Sequence, residues 1–246
     1  MSSRTRLSFD VALNSSGDKL NISISDPSDL QADNLALSTW GSADILANVL
    51  HRLDLPIAKQ ELPPTGAPVI ELGAGTGLAG LTAAAVWHTD VVLTDLTPIL
   101  PNIEANVKLN ENQLKAHQGT ARCGLLDWAN PELLTLCQQE GSPNQAPLLA
   151  SENKAHVILA ADTIYSEEHP ELLSKAIRAW LAPGTLSRLV LCYPLRVGYL
   201  DHIRDLWEQL EGIGLESVDE GREMVDRDAW DGEDTPYEWC IFRWKS

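Results

Sequence analysis

The chain has 246 residues and a mass of 26.9 kDa, enough for one large α/β domain or two small ones. Its 44% hydrophobic and 22% charged residues exclude a disordered or fibrous protein. The net charge of −17, from 35 acidic and 18 basic residues, argues against a surface that docks nucleic-acid phosphates or anionic lipids. Such a charge favours a basic partner or a cationic small molecule, although a merely solvated acidic surface explains it equally well.

The cysteines and histidines show no metal-binding or catalytic pattern. The four cysteines include no C-x-x-C pair and no histidine at metal-ligand spacing, which predicts ordinary thiols in a reducing compartment and no bound metal. The six histidines form no grouping either, and we expect them at the surface or in the core. The sequence shows neither a long apolar run nor a secretory leader, so we expect no membrane span and no secretion. The expected location is the cytoplasm, with the nucleus as a second one.

The N-terminal part of the chain predicts a hairpin and a helix. Residues 5–12 and 20–25 alternate apolar and polar side chains around an Asn-Ser-Ser-Gly-Asp sequence, which predicts a β-hairpin. Residues 43–53 carry an apolar stripe at helical spacing. A segment rich in Pro and Gly, 62–66, separates this part from the rest.

From residue 67 onward, short apolar runs alternate with helical stretches, which predicts a parallel sheet covered by helices on both faces. Residues 237–244 alternate apolar and polar instead, so we expect an antiparallel final strand that closes one edge, and 138–154 reads as a surface insertion. Residues 67–246 are expected to form the main domain, with residues 1–66 packed on it as an extension of one folding unit. Strands are predicted over 68–72, 91–94, 120–123, 156–160 and 189–193, and helices over 78–86, 98–112, 170–181 and 200–210.

The strongest local motif follows the first of these strands. The strand runs into Gly73, Gly75 and Gly77 and then into a helix, which lets the backbone approach a nucleotide-like ligand closely. Two ligand classes fit the motif. Residues 75–80 spell the dinucleotide sequence G-x-G-x-x-G, but that sequence should begin at Gly73. Glu71 and the three glycines match the E/D-x-G-x-G-x-G loop of S-adenosylmethionine-dependent methyltransferases without a shift.

Two acidic residues are placed to bind the rest of such a ligand. Asp95 ends the second strand, 22 residues after Gly73, where a carboxylate can accept hydrogen bonds from both ribose hydroxyls of either ligand class. Asp127 and Trp128 follow the third strand, where the carboxylate could bind the adenine amine and the indole could stack on its ring. Trp128 could also be an ordinary core residue.

An acid and a phenol, Asp162 and Tyr165, follow the fourth strand. An amine methyltransferase needs such a pair, because its nucleophile must be uncharged and held in line with the methyl group. Free lysine has a pKa of about 10.4. Asp162 could orient the amine, while the Tyr165 ring could wall a narrow channel and attract a cation. On this pattern alone, Asp162 could equally cap the helix that follows.

Together these motifs make the chain resemble the seven-β-strand class I methyltransferases, and within them the family 16 group of METTL21-like protein-lysine methyltransferases and their fungal relatives. The resemblance spans roughly residues 5–245, and the order and spacing of the motifs are more specific than any one of them. The motifs that carry it are Ser38–Gly41, Glu71–Gly77 with Leu78–Gly80, Asp95, Asn102–Asn106, Leu126–Trp128 and Ala161–Tyr165.

This resemblance implies a Rossmann-like, seven-stranded, mostly parallel sheet with an antiparallel final strand, and S-adenosylmethionine as cofactor with S-adenosylhomocysteine as product. It also implies roles for individual residues. Trp40 would lie near the methionine end of the cofactor, Gly73, Ala74 and Gly75 along its methionine portion, Asp95 at the ribose, Asp127 and Trp128 at the adenine, Ala161 with its backbone against the cofactor, and Asp162 and Tyr165 at the acceptor amine.

The sequence therefore predicts an N-methyltransferase that methylates lysine side chains of a protein, which we expect to be basic. Three alternatives stay open: a methyltransferase of small amines, a Rossmann dehydrogenase, and an adaptor that binds the cofactor without catalysis. We expect no nucleic-acid or membrane partner, and a monomer or a member of a transient complex. The acidic segment 216–234 either contributes to substrate selection or is a solvated loop.

Overall fold

The N-terminal residues form a hairpin, as predicted, and then a helix. A computed structural model of the chain describes residues 8–25, 31–32, 35–36, 38–59, 67–138, 146–226, 230 and 234–246. Strands β1 (Ser8–Ala12) and β2 (Lys19–Ser23) pair antiparallel, and alternate side chains of each strand are buried. After the two-residue strands β3 (Gln31–Ala32) and β4 (Leu35–Ala36), helix α1 (Gly41–Val49) follows, so the predicted helix is confirmed with an earlier start.

The remaining elements alternate between strand and helix, and every strand and helix predicted from residue 67 onward is present within a few residues of its predicted bounds. Strands β8, β9 and β12 were not expected. In chain order the elements are β5 (Val69–Leu72), α2 (Leu78–Trp87), β6 (Asp90–Asp95), α3 (Leu100–Ala116), β7 (Thr120–Leu125), β8 (Leu133–Leu136), β9 (Leu148–Leu149), β10 (Val157–Ala161), α4 (His169–Trp180), β11 (Arg188–Pro194), α5 (Leu200–Gly212), β12 (Leu215–Glu223) and β13 (Tyr237–Trp244).

The main sheet has the order β12-β13-β11-β10-β5-β6-β7-β8-β9. Its five central strands, from β11 to β7, are parallel to one another. Strand β13 pairs antiparallel with β11 and β12, and β8 and β9 extend the opposite edge as antiparallel strands. The predicted Rossmann-like α/β class is confirmed, with nine strands in this sheet instead of seven because β8 and β9 are added.

The expectation that the final strand closes an edge is wrong. Strand β13 lies between β11 and β12, so β12 is the edge strand. Strand β12 occupies the first half of the acidic segment 216–234, for which the sequence left open a solvated loop or a role in substrate selection. Most side chains of β12 are exposed or half-exposed, and the strand pairs on one side only. Its residues therefore lack the apolar alternation by which strands are recognised in a sequence.

Side chains of the central strands point alternately into two cores, one on each face of the sheet. Val69, Val91 and Val157 join the core that contains the hairpin, α1 and α2, whereas their neighbours Ile70 and Val92 join the core beneath α4 and α5. Burial on both faces explains why these strands are continuously apolar. None of the helices in the described ranges is both long and apolar enough to cross a membrane.

This topology positions the candidate site. Strands β5, β6, β7 and β10 are parallel neighbours, so the segments that follow them emerge at one edge of the sheet. Ligands of open α/β sheets bind at the carboxyl ends of such strands.

Candidate active site

A cleft of about 170 Å³ lies at this edge of the sheet. Nine of the twelve residues predicted from the sequence line it: Trp40, Gly73, Gly75, Asp95, Asp127, Trp128, Ala161, Asp162 and Tyr165. The remaining lining residues are Ser38, Leu96, Ile99, Leu126, Thr163, His169 and Leu172. The other three predicted residues, Glu71, Ala74 and Gly77, support the glycine loop without lining the cleft.

The glycine loop adopts a backbone that requires glycine. Gly73, Gly75 and Gly77 have φ angles of 64°, 57° and 85°, in the left-handed region. A Cβ atom added to Gly73 would lie 3.0 Å from Cγ2 of Thr163 and 3.1 Å from Cζ2 of Trp128. The loop backbone therefore lies directly against the indole, and a side chain at this position would make unusually tight contacts.

Hydrogen bonds within the strand–loop–helix unit fix the loop. The N–H of Ala74 donates to the carbonyl of Thr94 on β6 at 2.9 Å, and the N–H of Gly77 donates to the carbonyl of Ala74 at 2.7 Å. Ala74 and Gly77 thus shape the turn through their backbone, which explains why they do not line the cleft.

Glu71 lies beneath the loop, not in the cleft. Its side chain is fully buried, and Oε2 accepts a hydrogen bond from the N–H of Gly80 in the first turn of α2 at 3.0 Å. Burial, with a smaller contribution from the charge of Asp95, raises the pKa of Glu71 to about 8 against the lowering effect of this hydrogen bond. The carboxyl group of Glu71 is therefore mainly protonated at pH 7, and it stabilises the first turn of α2.

Asp95 is oriented by two backbone donors. Its Oδ2 accepts a hydrogen bond from the N–H of Gly75 at 2.8 Å, and its Oδ1 accepts one from the N–H of Leu96 at 2.8 Å. An ionised carboxylate has about four acceptor sites, so it can accept several hydrogen bonds at once. The carboxylate is held in place at the point where the sequence predicted a ribose.

Asp127 and Trp128 form the wall of the cleft next to β7. Oδ1 of Asp127 accepts a hydrogen bond from the N–H of Ala129 at 2.9 Å, and Oδ2 accepts one from Nδ2 of Asn130 at 3.1 Å. The indole of Trp128 packs at the margin of the core beneath α4 and also lines the cleft. Trp128 is thus both a partly buried core residue and a residue of the cleft lining, the two roles that the sequence left open.

Asp162 adopts a strained backbone conformation after β10. Its φ angle is 58°, which is uncommon for a residue other than glycine, and its N–H donates to the carbonyl of Cys192 on β11 at 2.9 Å. Helix α4 begins only at His169, and the residue before it is Glu168, so the alternative role of Asp162 as a helix cap is excluded. Strained residues of this kind cluster at functional sites.

His169 is a functional candidate that the sequence analysis missed. Its ring meets the Tyr165 ring edge-to-face, with centroids 4.2 Å apart, and the Trp128 ring edge-to-face at 5.8 Å. Nδ1 accepts a long hydrogen bond, 3.5 Å, from the N–H of Tyr165. His169 was expected to be an ordinary surface or core residue, and its only sequence signal is its spacing of four residues from Tyr165.

The charges that line the cleft are of one sign. Asp95, Asp127 and Asp162 line it, whereas no Lys or Arg is among the lining residues that the structure describes. A pyrophosphate would be repelled by these carboxylates, whereas a sulfonium or an amine would be attracted. Within the described ranges, no cluster of three or more His, Cys, Asp or Glu is placed to hold a metal ion.

A model of the family described as lysine methyltransferase matches residues 18–201. This chain belongs to the lysine methyltransferase family. The match covers β2 to the start of α5, and so includes every segment that lines the cleft.

Two curated relatives agree with this assignment. Protein-lysine N-methyltransferase EFM2 of Saccharomyces cerevisiae is 32% identical over 225 residues, which cover 85% of this chain and 48% of EFM2. Protein N-lysine methyltransferase METTL21A of Danio rerio is 35% identical over 184 residues, which cover 75% of this chain and 71% of METTL21A. The chain thus spans about half the length of EFM2.

One solved structure shares the fold alone. PH1948 of Pyrococcus horikoshii, provisionally assigned as an RNA methyltransferase, superposes with a TM-score of 0.53 at 10% identity, over 89% of this chain and 94% of PH1948.

The cofactor of this family is S-adenosylmethionine, and the cleft fits it. The missing side chain of Gly73 lets the loop backbone lie directly against the Trp128 indole, and both residues line the cleft. Asp95 would offer a carboxylate to the ribose and Trp128 an aromatic surface to the adenine, and the acidic lining would suit the sulfonium charge.

Replacing Glu71 with Gln should change how stability depends on pH. Folding takes up a proton at Glu71 between its ordinary pKa of 4.5 and its folded value of about 8. The free energy of unfolding therefore falls as the pH rises through this range, by up to about 1.4 kcal/mol per pH unit from this residue. Glu71→Gln removes this loss while its side-chain oxygen can still accept the hydrogen bond from Gly80.

Urea unfolding of both proteins across this pH range checks the prediction. The stability difference should grow in favour of E71Q as the pH rises and become constant above about pH 8. A difference that does not vary with pH would mean that Glu71 is already ionised in the folded chain.

Replacing His169 should separate the role of its ring from that of its nitrogen. His169→Ala removes both edge-to-face contacts and should raise the Kd for S-adenosylhomocysteine and the KM for the methyl acceptor, each about two- to tenfold. His169→Phe keeps an aromatic ring and should stay close to the unmodified chain in both quantities. Calorimetry and steady-state kinetics measure them, and an equal loss in H169F would transfer the role to the hydrogen bond from Tyr165.

Proposed function

We propose that this chain is an S-adenosylmethionine-dependent N-methyltransferase that methylates lysine side chains of a protein substrate. The observation that carries the proposal is the strained Asp162 with the Tyr165–His169 aromatic pair beside it, in a cleft whose described lining has carboxylates and no basic side chain. The names of EFM2 and METTL21A as protein-lysine methyltransferases support the same reaction class.

The residues at the acceptor end explain how an amine would be held. When bound, S-adenosylmethionine supplies an electrophilic methyl group that a neutral amine can accept. The carboxylate of Asp162 can accept hydrogen bonds from that amine and orient its lone pair. The ring of Tyr165, itself fixed by the ring of His169, limits the directions from which a long side chain can enter.

Capture and deprotonation of the amine make opposite demands. A carboxylate beside an ammonium group favours the charged form, and so helps capture, whereas the partly buried cleft disfavours that charge. Because free lysine has a pKa of about 10.4, most of it arrives protonated at neutral pH. The bound ammonium must therefore lose its proton to solvent before the methyl group is transferred, and the residues of the cleft then hold the neutral amine in line.

We further propose a basic protein as the substrate. Glu167 and Glu168 are exposed and lie between the cleft-lining residues Tyr165 and His169, so two acidic side chains border the acceptor end. Together with the net charge of −17, they would attract a positively charged surface around the target lysine. The four cysteines are free thiols, which supports a reducing compartment such as the cytoplasm or nucleus.

Asp162→Asn is the sharpest test of the acceptor site. Asn tolerates a positive φ angle at least as well as Asp, so the backbone conformation is kept while the charge is lost. We expect methyl transfer to fall on the order of 100-fold, because the amine is no longer oriented. The Kd for S-adenosylhomocysteine should change by less than about threefold, since binding of the product is not expected to need this charge.

The assay uses purified enzyme, radiolabelled S-adenosylmethionine and a cell extract, followed by mass spectrometry of the labelled proteins. Methylated lysines that disappear with D162N support the proposal. Label that enters only small molecules would identify a small-amine methyltransferase, and cofactor binding without any transfer would identify an adaptor. Full activity of D162N would show that the acceptor site is misassigned.

Neutralising the two exposed acids should weaken recognition of the substrate only. Glu167→Gln combined with Glu168→Gln should raise the KM for the labelled protein about two- to fivefold at low salt, and less at high salt. The control Glu152→Gln with Glu208→Gln changes the net charge equally at exposed positions away from the cleft lining. An equal rise of KM in the control would assign the effect to net charge instead of to this border.

A further inference from the structure

Helix α3 presents three buried asparagines on one face. Asn102, Asn106 and Asn110 are spaced by four residues, which places them one above another along the helix. Their exposed fractions are 5%, 0% and 1%. Buried amides are costly unless they are hydrogen-bonded, so a row of them indicates specific partners.

Two of these side chains bind the chain at the end of the N-terminal hairpin. Oδ1 of Asn110 accepts a hydrogen bond from the N–H of Ser23 at 2.9 Å, and its Nδ2 donates to the carbonyl of Ser23 at 2.7 Å. Asn106 repeats this arrangement on Ser25, with distances of 2.8 Å and 3.2 Å. Alternate residues of an extended chain present their backbone groups to the same side, so the two amides take the place of a neighbouring strand.

Asn106 makes one contact that Asn110 does not make. Its Nδ2 also donates to the carbonyl of Thr76 at 2.9 Å, and Thr76 stands inside the glycine loop between Gly75 and Gly77. Both N–H groups of this amide are therefore engaged, one on the hairpin side and one on the loop. The second donor of Asn110 instead binds the carbonyl of Asn106 at 2.7 Å, within the helix.

The same loop residue is held from the other side by the segment before α1. The hydroxyls of Thr76 and Thr39 lie 2.9 Å apart, both buried, and Thr39 directly precedes Trp40 in the cleft lining. Thr76 is thus fixed through its side chain and its carbonyl, and it cannot shift without breaking buried hydrogen bonds.

We propose that Asn106 is a positioning residue that couples docking of the hairpin to the cofactor site through the carbonyl of Thr76. The docked hairpin orients the amide of Asn106, the amide fixes Thr76, and the loop keeps the left-handed backbone that the cofactor needs. Because coupling between two sites is reciprocal, cofactor binding stabilises the docked hairpin by the same factor.

The test compares Asn106→Ala with Asn110→Ala. Both variants lose two hydrogen bonds to the hairpin, but only N106A loses the bond to the glycine loop. Calorimetry with S-adenosylhomocysteine should show a Kd about tenfold higher for N106A, as expected for a buried hydrogen bond. The Kd of N110A should stay within about twofold of the unmodified chain, although its unfolding temperature falls.

Hydrogen exchange measures the reciprocal effect without any substrate. In the unmodified chain, S-adenosylhomocysteine should slow exchange in peptides that cover β1 and β2, as well as in those that cover the glycine loop. In N106A the slowing should persist at the loop and disappear at the hairpin. If N106A does not fold, exchange in the unmodified chain decides alone, and an unchanged hairpin then overturns the proposal.

Two other results would also overturn it: an unchanged Kd in N106A, or an equal rise of Kd in N110A, which would show that hairpin docking in general sets the affinity. The inference does not depend on the identity of the methyl acceptor. Failure to methylate any protein would therefore leave these binding and exchange results valid.

Discussion

The backbone turn after β5 is the constraint on which the rest of the site depends. Gly73, Gly75 and Gly77 lie within five residues and all adopt left-handed conformations, which lead the chain from the end of β5 into α2. The same turn brings the Gly73 backbone so close to the Trp128 indole that a Cβ atom at Gly73 would lie 3.1 Å from Cζ2.

Three side chains hold the turn and the start of α2 through hydrogen bonds to the backbone. Glu71 braces the start of α2 as a protonated acid, Asp95 holds the N–H of Gly75 as part of the cleft, and Asn106 holds the carbonyl of Thr76. Two carboxyl groups so near each other are compatible because burial leaves Glu71 neutral at pH 7. The ionised Asp95 then joins the other acids that make the cleft attractive to cations.

Much of the fold was predictable because the central strands are buried on both faces, and such strands are continuously apolar and separated by amphipathic or apolar helices. The edges were not. Four of the nine residues of β12 are acidic and most of the strand is exposed, and β8 and β9 are short, so their pairing depends on neighbours that a local pattern does not show. The misplaced final strand has the same cause, since order within a sheet is decided by tertiary pairing.

For the site, the sequence alone determined the residues whose chemistry depends on a local backbone: the glycine turn, and the acids that end or follow successive strands. Only the tertiary structure decided which of them face the ligand. The structure places Glu71 beneath the loop and shows that Asp162 is not a helix cap. It also places the His169 ring against the rings of Tyr165 and Trp128. Burial and the contact between the His169 and Trp128 rings arise between elements far apart in the chain, so no spacing within one segment encodes them.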